Sequence, residues 1–538
     1  MQRTSIFGLC AIALLLITSC SSGDKSAIAI PKDAGFVLYV NTSSLSSKLS
    51  WKEIQQTNWF KEAYDEADDS LAKKLLTDPD NSGVNTDADL VMFVKRQGKN
   101  GYAVFSGGLK DAAAFEAFNK KMRPKATASK DGDLNVLSLE SGTIATWKDN
   151  RFIYVFDAPM GNYARGFSNE DGSEGPKRLT KDSLINFAKG LYDLKSSNSL
   201  TSEDKFSSLL KENGDVHIWV NSENLSGNVL GDMFSITKLS DLTKGNATGM
   251  TLTFDNGKID VKSKSYYNEK VAELLEKYKM KNIDADALAR IPSENLVGVM
   301  SWNYPPEGLK EFLKLGGLDG MANGFLGEAG YSIDEFVKAN KGDVLVAVSD
   351  FELKTTQGTY PSYEEGGAPI PYTKTDPSVK VLFAVSINDK PAFDKMIGVI
   401  KAKMGPMADD TTFKITYSLN DKWFAAGNSA EQVNKFLAGG ANNKHAAISK
   451  LAGHPGGMYV DLQKILKTSE AATTDSTTKA VLAESVKMWE DIIATGGEFS
   501  NGTLTGHFEI NLVDKSTNSL KQLNQYGDKL AATRKKGF

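Results

Sequence analysis

Ile30-Pro31-Lys32-Asp33-Ala34-Gly35-Phe36-Val37-Leu38-Tyr39-Val40-Asn41 has a diverged counterpart in Ile291-Pro292-Ser293-Glu294-Asn295-Leu296-Val297-Gly298-Val299-Met300-Ser301-Trp302. Each opens on an Ile-Pro turn, passes through polar residues and enters a run of strand-forming residues. A helical stretch follows both, over residues 43–49 in the first and 307–315 in the second. Further on, Gly101-Tyr102-Ala103-Val104-Phe105-Ser106 and Val381-Leu382-Phe383-Ala384-Val385-Ser386 each lead into a helix, ending near Met122 and Met404. The segments 144–152 and 415–423 both read as strand, polar turn, strand. Asp215-Val216-His217-Ile218-Trp219-Val220 answers to Gly457-Met458-Tyr459-Val460-Asp461-Leu462. Each half closes on a hairpin-like stretch and a helix, over 249–278 and 502–526. The matches recur in the same order, which marks a duplication.

Alternating strands separated by amphipathic helices predict an α+β fold: two diverged modules of mainly antiparallel sheet, with helices packed on one sheet face. The polar, charged stretch 279–290 reads as the linker, so the modules are expected over 28–280 and 281–538. A chain of 538 residues has ample length for two cores. Its 41% hydrophobic and 24% charged content is that of folded protein rather than disordered chain. The formal net charge is −4 and no long basic cluster offsets it, which argues against a nucleic-acid partner.

The N-terminus has a different character. Arg3 precedes an apolar run from Ile6 to Ile17, and Ile17-Thr18-Ser19-Cys20 closes it with small residues before a cysteine. A run this short is read as an export signal, residues 1–19, rather than as a membrane span. Cys20 is then the lipid acceptor of a bacterial lipoprotein, and residues 20–27 form a flexible tether. Ser21 lacks the aspartate that would hold such a protein at the inner membrane, so outer-membrane anchoring through acyl chains is expected. Cys10 and Cys20 are the only cysteines. The mature chain is therefore expected to have no disulfide, thiol nucleophile or cysteine metal site.

These features bring the chain close to a known group. With its lipobox, Ile-Pro-x-Asp-Ala at Ile30 to Ala34 before a Val-rich strand, and the turn Asp78-Pro79-Asp80-Asn81-Ser82-Gly83, it resembles the Bacteroidota envelope lipoproteins grouped as a domain of unknown function. The resemblance covers most of the mature chain. It implies an extracytoplasmic lipoprotein and carries over no catalytic residue.

Chemistry-bearing motifs are sparse. The sequence has no phosphate loop, dinucleotide fingerprint, His-Glu-x-x-His helix or nucleophile elbow. Its histidines, His217, His445, His454 and His507, lack metal-ligand spacing. Asp78, Asp80, Ser82 and Asp89 occupy positions 1, 3, 5 and 12 of a calcium-type loop with Gly83 at position 6. Against that reading, Asn85 stands where an apolar residue is usual, and an Asp/Asn/Gly turn needs no metal. The Pro/Gly-rich stretch 354–377 reads as a long loop, and its Tyr360, Tyr363 and Tyr372 suit contact with a protein or glycan partner. Acidic pairs such as Asp68-Asp69 and Glu364-Glu365 read as solvated. The leading expectation is a non-enzymatic binding or assembly component of the envelope. The alternatives are a hydrolase or glycan-processing accessory with a site between the modules, and a calcium-stabilised surface adhesin.

Overall fold

The computed structural model describes residues 29–65, 77–97, 100–139, 142–158, 178–226, 238–361, 369–404 and 415–536. Cys20 with its signal and tether, Tyr363, Asp68-Asp69 and Glu364-Glu365 lie outside the described residues, as does the side chain of Asp80. The chain divides into two compact units. One takes residues up to 236 with 243–268 and 516–532; the other takes 237–242, 269–515 and 533–538.

The first unit is built on the strands β1 (Phe36–Val40), β2 (Leu90–Gln97), β3 (Asn100–Gly108), β4 (Thr127–Asp131), β5 (Leu134–Leu139), β6 (Thr143–Lys148), β7 (Arg151–Asp157), β8 (Val216–Asn221), β9 (Ala247–Asp255) and β10 (Lys258–Tyr266). All pair antiparallel, in the spatial order β4-β5-β6-β7-β3-β2-β1-β8-β9-β10. Neighbouring residues on a strand point to opposite faces, and here both faces are apolar. Val136, Ile144 and Ile153 enter one core with Leu184, Ala188 and Leu191 of the helix Lys181–Tyr192. Their neighbours Leu137, Ala145 and Phe152 enter a second core with Phe115 of the helix Ala112–Met122. Around β5, β6 and β7 a second helix thus packs on the opposite face as well. Strands without strict polar alternation must bury both faces.

The second unit carries β11 (Leu296–Asn303), β12 (Asn340–Tyr360), β13 (Ile370–Ile387), β14 (Thr416–Leu419), β15 (Trp423–Gly427), β16 (Gly456–Asp461), β17 (Trp489–Ser500) and β18 (Thr503–Leu512). Their antiparallel order is β14-β15-β13-β12-β11-β16-β17-β18. That order matches β6-β7-β3-β2-β1-β8-β9-β10 strand for strand. The register agrees too. The cross-strand row Phe105–Met92–Leu38–Ile218–Met250 in the first sheet is matched by Phe383–Val346–Met300–Met458–Ala494 in the second. A slip of one residue would have moved each strand's apolar set to the other face.

The closing helices are distributed unexpectedly. Glu269–Lys277 follows β10 yet belongs to the second unit, where Tyr278 at its end packs against Gly308. Ser519–Lys536 follows β18, yet residues 516–532 belong to the first unit. There Lys521 pairs with Glu53 at 2.6 Å, Trp59 donates its indole N–H to Asn524 at 3.1 Å, and the backbone N–H of Asn58 donates to Asp528.

Candidate functional site

The site is the distal part of the β12–β13 hairpin. As far as Ser349 on β12 and Leu382 on β13 the two strands lie within the sheet, flanked by β11 and β15 respectively. A register shift between Ser349 and Glu352 then releases them as a two-stranded ribbon, paired from Glu352–Ser378 out to Tyr360–Ile370. The stretch expected to be a long loop is therefore strand. Thr355, Thr356, Thr359, Thr373 and Thr375 supply the β-branched content that favours this.

Asp350 makes the exit. It takes a left-handed backbone with φ of 52°, which is uncommon for a non-glycine residue. Polar partners hold it there. Its backbone N–H donates to Asn295 O at 3.0 Å, and its carboxylate accepts from Ser293 Oγ at 2.9 Å, Gln432 Nε2 at 3.0 Å and Ser349 Oγ at 3.2 Å. Burial acts to raise its carboxyl, but the hydrogen bonds from Ser293 and Ser349, with the Lys380 charge, outweigh it and leave the group below the ordinary aspartate value.

At the far end the Tyr360 and Tyr372 rings stack, 4.3 Å between centroids. Tyr372 is paired with Gly358, not Tyr360, so its ring crosses the partner strand to reach the stack. A Cβ on Gly358 would meet that ring at 2.7 Å, and this explains a glycine within a strand. Tyr360 is 56% exposed and Ile370 49%. Midway, the Thr355 and Thr375 hydroxyls meet across the strands at 3.1 Å. Lys374 pairs with Asp376 at 2.9 Å, and this hydrogen bond raises the Lys374 ammonium above its ordinary value. The structure thus brings Tyr360 and Tyr372 together. Sequence reading passed over Gly358 and Asp350. The available signal was the even spacing of Pro371 and Pro377 among alternating threonines, which suits an edge strand as well as a loop.

The calcium-type loop is a structural turn in its described part. Asp89 is buried, its carboxylate accepting from Tyr39 Oη at 2.6 Å. Ser82 is buried and accepts from the Val84 N–H, whereas Asp78 is exposed. Gly83, at φ 78°, receives the Lys110 and Asp111 N–H groups on its carbonyl at 2.9 and 3.1 Å. A Cβ there would lie 2.2 Å from Asp111 O, so this glycine docks the turn on the helix Ala112–Met122.

Three of the histidines make local contacts. His217 is buried in β8 near Tyr39 and Thr251. His445 caps the helix Ala446–Leu451 and lies edge-on to Tyr459, and burial lowers its imidazole below the ordinary value. His454 pairs with Glu498 at 2.6 Å. The buried Asp215 is another anchor, accepting from Lys48 Nζ, Ser44 Oγ and the Phe254 N–H, each at 2.6 Å. In the second unit an open depression of about 630 Å³ is lined by Glu273, Glu276, Lys277, Lys279 and Phe499 among others; its Lys279 and Glu276 pair with each other.

Against known proteins, the family model described as a domain of unknown function (DUF4836) matches residues 27–299, and the chain belongs to that family. The match spans β1 to β10 and ends within β11. No curated protein matches the chain. Three crystal forms of TP0453 are similar at 10%, 10% and 13% identity and a TM-score of 0.25, covering 49% of this chain and 90%, 89% and 91% of theirs. That score is too low to define a shared fold.

Proposed function

We propose that the chain is a lipoprotein held at the outer membrane through acylated Cys20, acting as a non-enzymatic binding or assembly component of the bacterial envelope. Its contact surface is the ribbon, and one observation carries that reading: β12 and β13 run on as a two-stranded ribbon for nine residue pairs and end in an exposed aromatic stack. A ribbon that buries so little adds little to the fold's own stability, so its length is better explained by contact with something else. Stacked tyrosines supply rigid area and hydroxyl donors at small entropic cost, which suits a protein partner. The anchor rests on the ordered features of the N-terminus, Arg3, the apolar run and Cys20.

Two measurements test the proposal. Cys20→Ala is expected to move the protein from the membrane to the soluble fraction, and retention in the membrane overturns the anchor. Gentle-detergent purification of the full chain is expected to retain a stoichiometric protein that the double variant Tyr360→Ala/Tyr372→Ala loses. A partner held equally by that variant overturns the ribbon as the contact.

A further inference from the structure

We infer that the open edge of β12 between Glu352 and Tyr360 pairs with the same edge of a second copy of this chain, as an antiparallel strand dimer with its two-fold axis at Thr356. The inference rests on the reading of the ribbon as a contact surface and names what one of its edges takes.

The two edges of the ribbon differ chemically. Pro371 lies opposite Thr359 and Pro377 opposite Leu353. Proline has no N–H, so these positions of β13 are the ones whose donor would face away from β12. In an antiparallel ladder, hydrogen-bonded and non-hydrogen-bonded pairs alternate. The non-hydrogen-bonded set on β12 is therefore Leu353, Thr355, Gln357 and Thr359, whose N–H and C=O groups point outward. The outer edge of β13 lacks two donors and is closed to strand addition. The outer edge of β12 carries no proline from 351 to 360. β11 follows β12 only as far as Ser349 and the helix Leu462–Ala472 also packs against β12, but beyond Leu353 no described strand flanks this edge and its residues are mostly exposed. Native sheets normally blunt such an edge, and this ribbon blunts only one of its two.

That edge is complementary to itself. With the axis at Thr356, Leu353 faces Thr359 of the second copy and Thr355 faces its Gln357, so every outward group gains a partner. Among the side chains, Glu352 stands opposite Tyr360, Lys354 opposite Gly358, and Thr356 opposite itself. No like charges oppose, and Lys354 lies diagonal to the Tyr360 ring of the second copy, within reach of a cation–π contact. A register centred on Lys354 would set two ammonium groups face to face and is disfavoured. Chains tethered to one membrane present this edge to each other at high local concentration.

The chain's cysteines are Cys10 and Cys20 alone, so an engineered thiol reports cleanly. Thr356 would sit in a non-hydrogen-bonded pair with its own symmetry mate, about 4.5 Å between Cα atoms, within disulfide reach. Oxidation of membranes carrying full-length Thr356→Cys is expected to give a reducible dimer on a non-reducing gel, while Thr375→Cys on β13 stays monomeric. The wild-type chain in detergent is expected to scatter light as two chains. Thr355→Pro, at an outward-facing position, would close β12 as Pro371 and Pro377 close β13, and should return it to one chain. A wild type of single-chain mass, equal cross-linking at positions 356 and 375, or a dimer indifferent to Thr355→Pro overturns the inference. None of these outcomes touches the Cys20 anchor, which fractionation reads separately, or the tyrosine contact, which the double tyrosine variant reads.

Discussion

At Asp350 one residue sets the direction of the ribbon. Its left-handed backbone is a strain of roughly 1–3 kcal/mol, offset by the donors from Ser293, Ser349 and Gln432. Asp350→Ala removes the acceptor and leaves the strain, so unfolding free energy is expected to fall by about 1–3 kcal/mol. A denaturation midpoint that drops at constant slope would record it, and an unchanged midpoint would refute it. The carboxyl lies below its ordinary value of 3.8 in the fold, so the folded state favours the ionised form. Its contribution is then complete above about pH 4 and disappears as acid titrates the folded group. The advantage of wild type over Asp350→Asn should accordingly close on the acid side of pH 4 and stay constant above it.

Among elements, the ribbon is only weakly tied to the cores. Beyond Ser349 its residues are mostly exposed, and it is held by its own ladder, the Thr355–Thr375 contact and the tyrosine stack. Replacing residues 352–378 with a short turn is expected to shift the melting temperature by less than about 4 °C. A larger loss would mean that the ribbon belongs to the cooperative fold. This element was half legible in the sequence. Tyr360 and Tyr372 stood out as contact residues, but the prolines and glycines around them read as loop punctuation. Proline is excluded from a central strand because it cannot donate to the ladder; at a free edge that objection vanishes. Whether Pro371 occupies such an edge depends on β15 stopping short of it, and no local pattern records that. At the calcium-type spacing the sequence did not show that Tyr39, fifty residues upstream, donates to the Asp89 carboxylate.

For the molecule as a whole, the closing helices matter most. The first unit is completed by residues 516–532, outside the stretch matched by the family model. The hydrogen bond from Lys521 helps pull the Glu53 carboxyl down to about 2, so this pair persists well into acid. Truncation after Lys515 removes Lys521, Asn524 and Asp528 together. It is expected to destabilise the N-terminal unit, seen as a red shift of Trp59 emission and an earlier unfolding transition. An unchanged Trp59 signal would show that the unit stands without the segment. The sequence by itself determined many of the strands outside the ribbon and their repeated order, because side-chain alternation and Ile-Pro or Gly turns act over a few residues. Only the tertiary structure decided that helices cover both faces around β5 to β7, that Pro371 and Pro377 lie within a paired ribbon, and which unit each closing helix completes. An amphipathic helix records that one face must be buried and leaves the burying surface unspecified; chain geometry and packing make that choice.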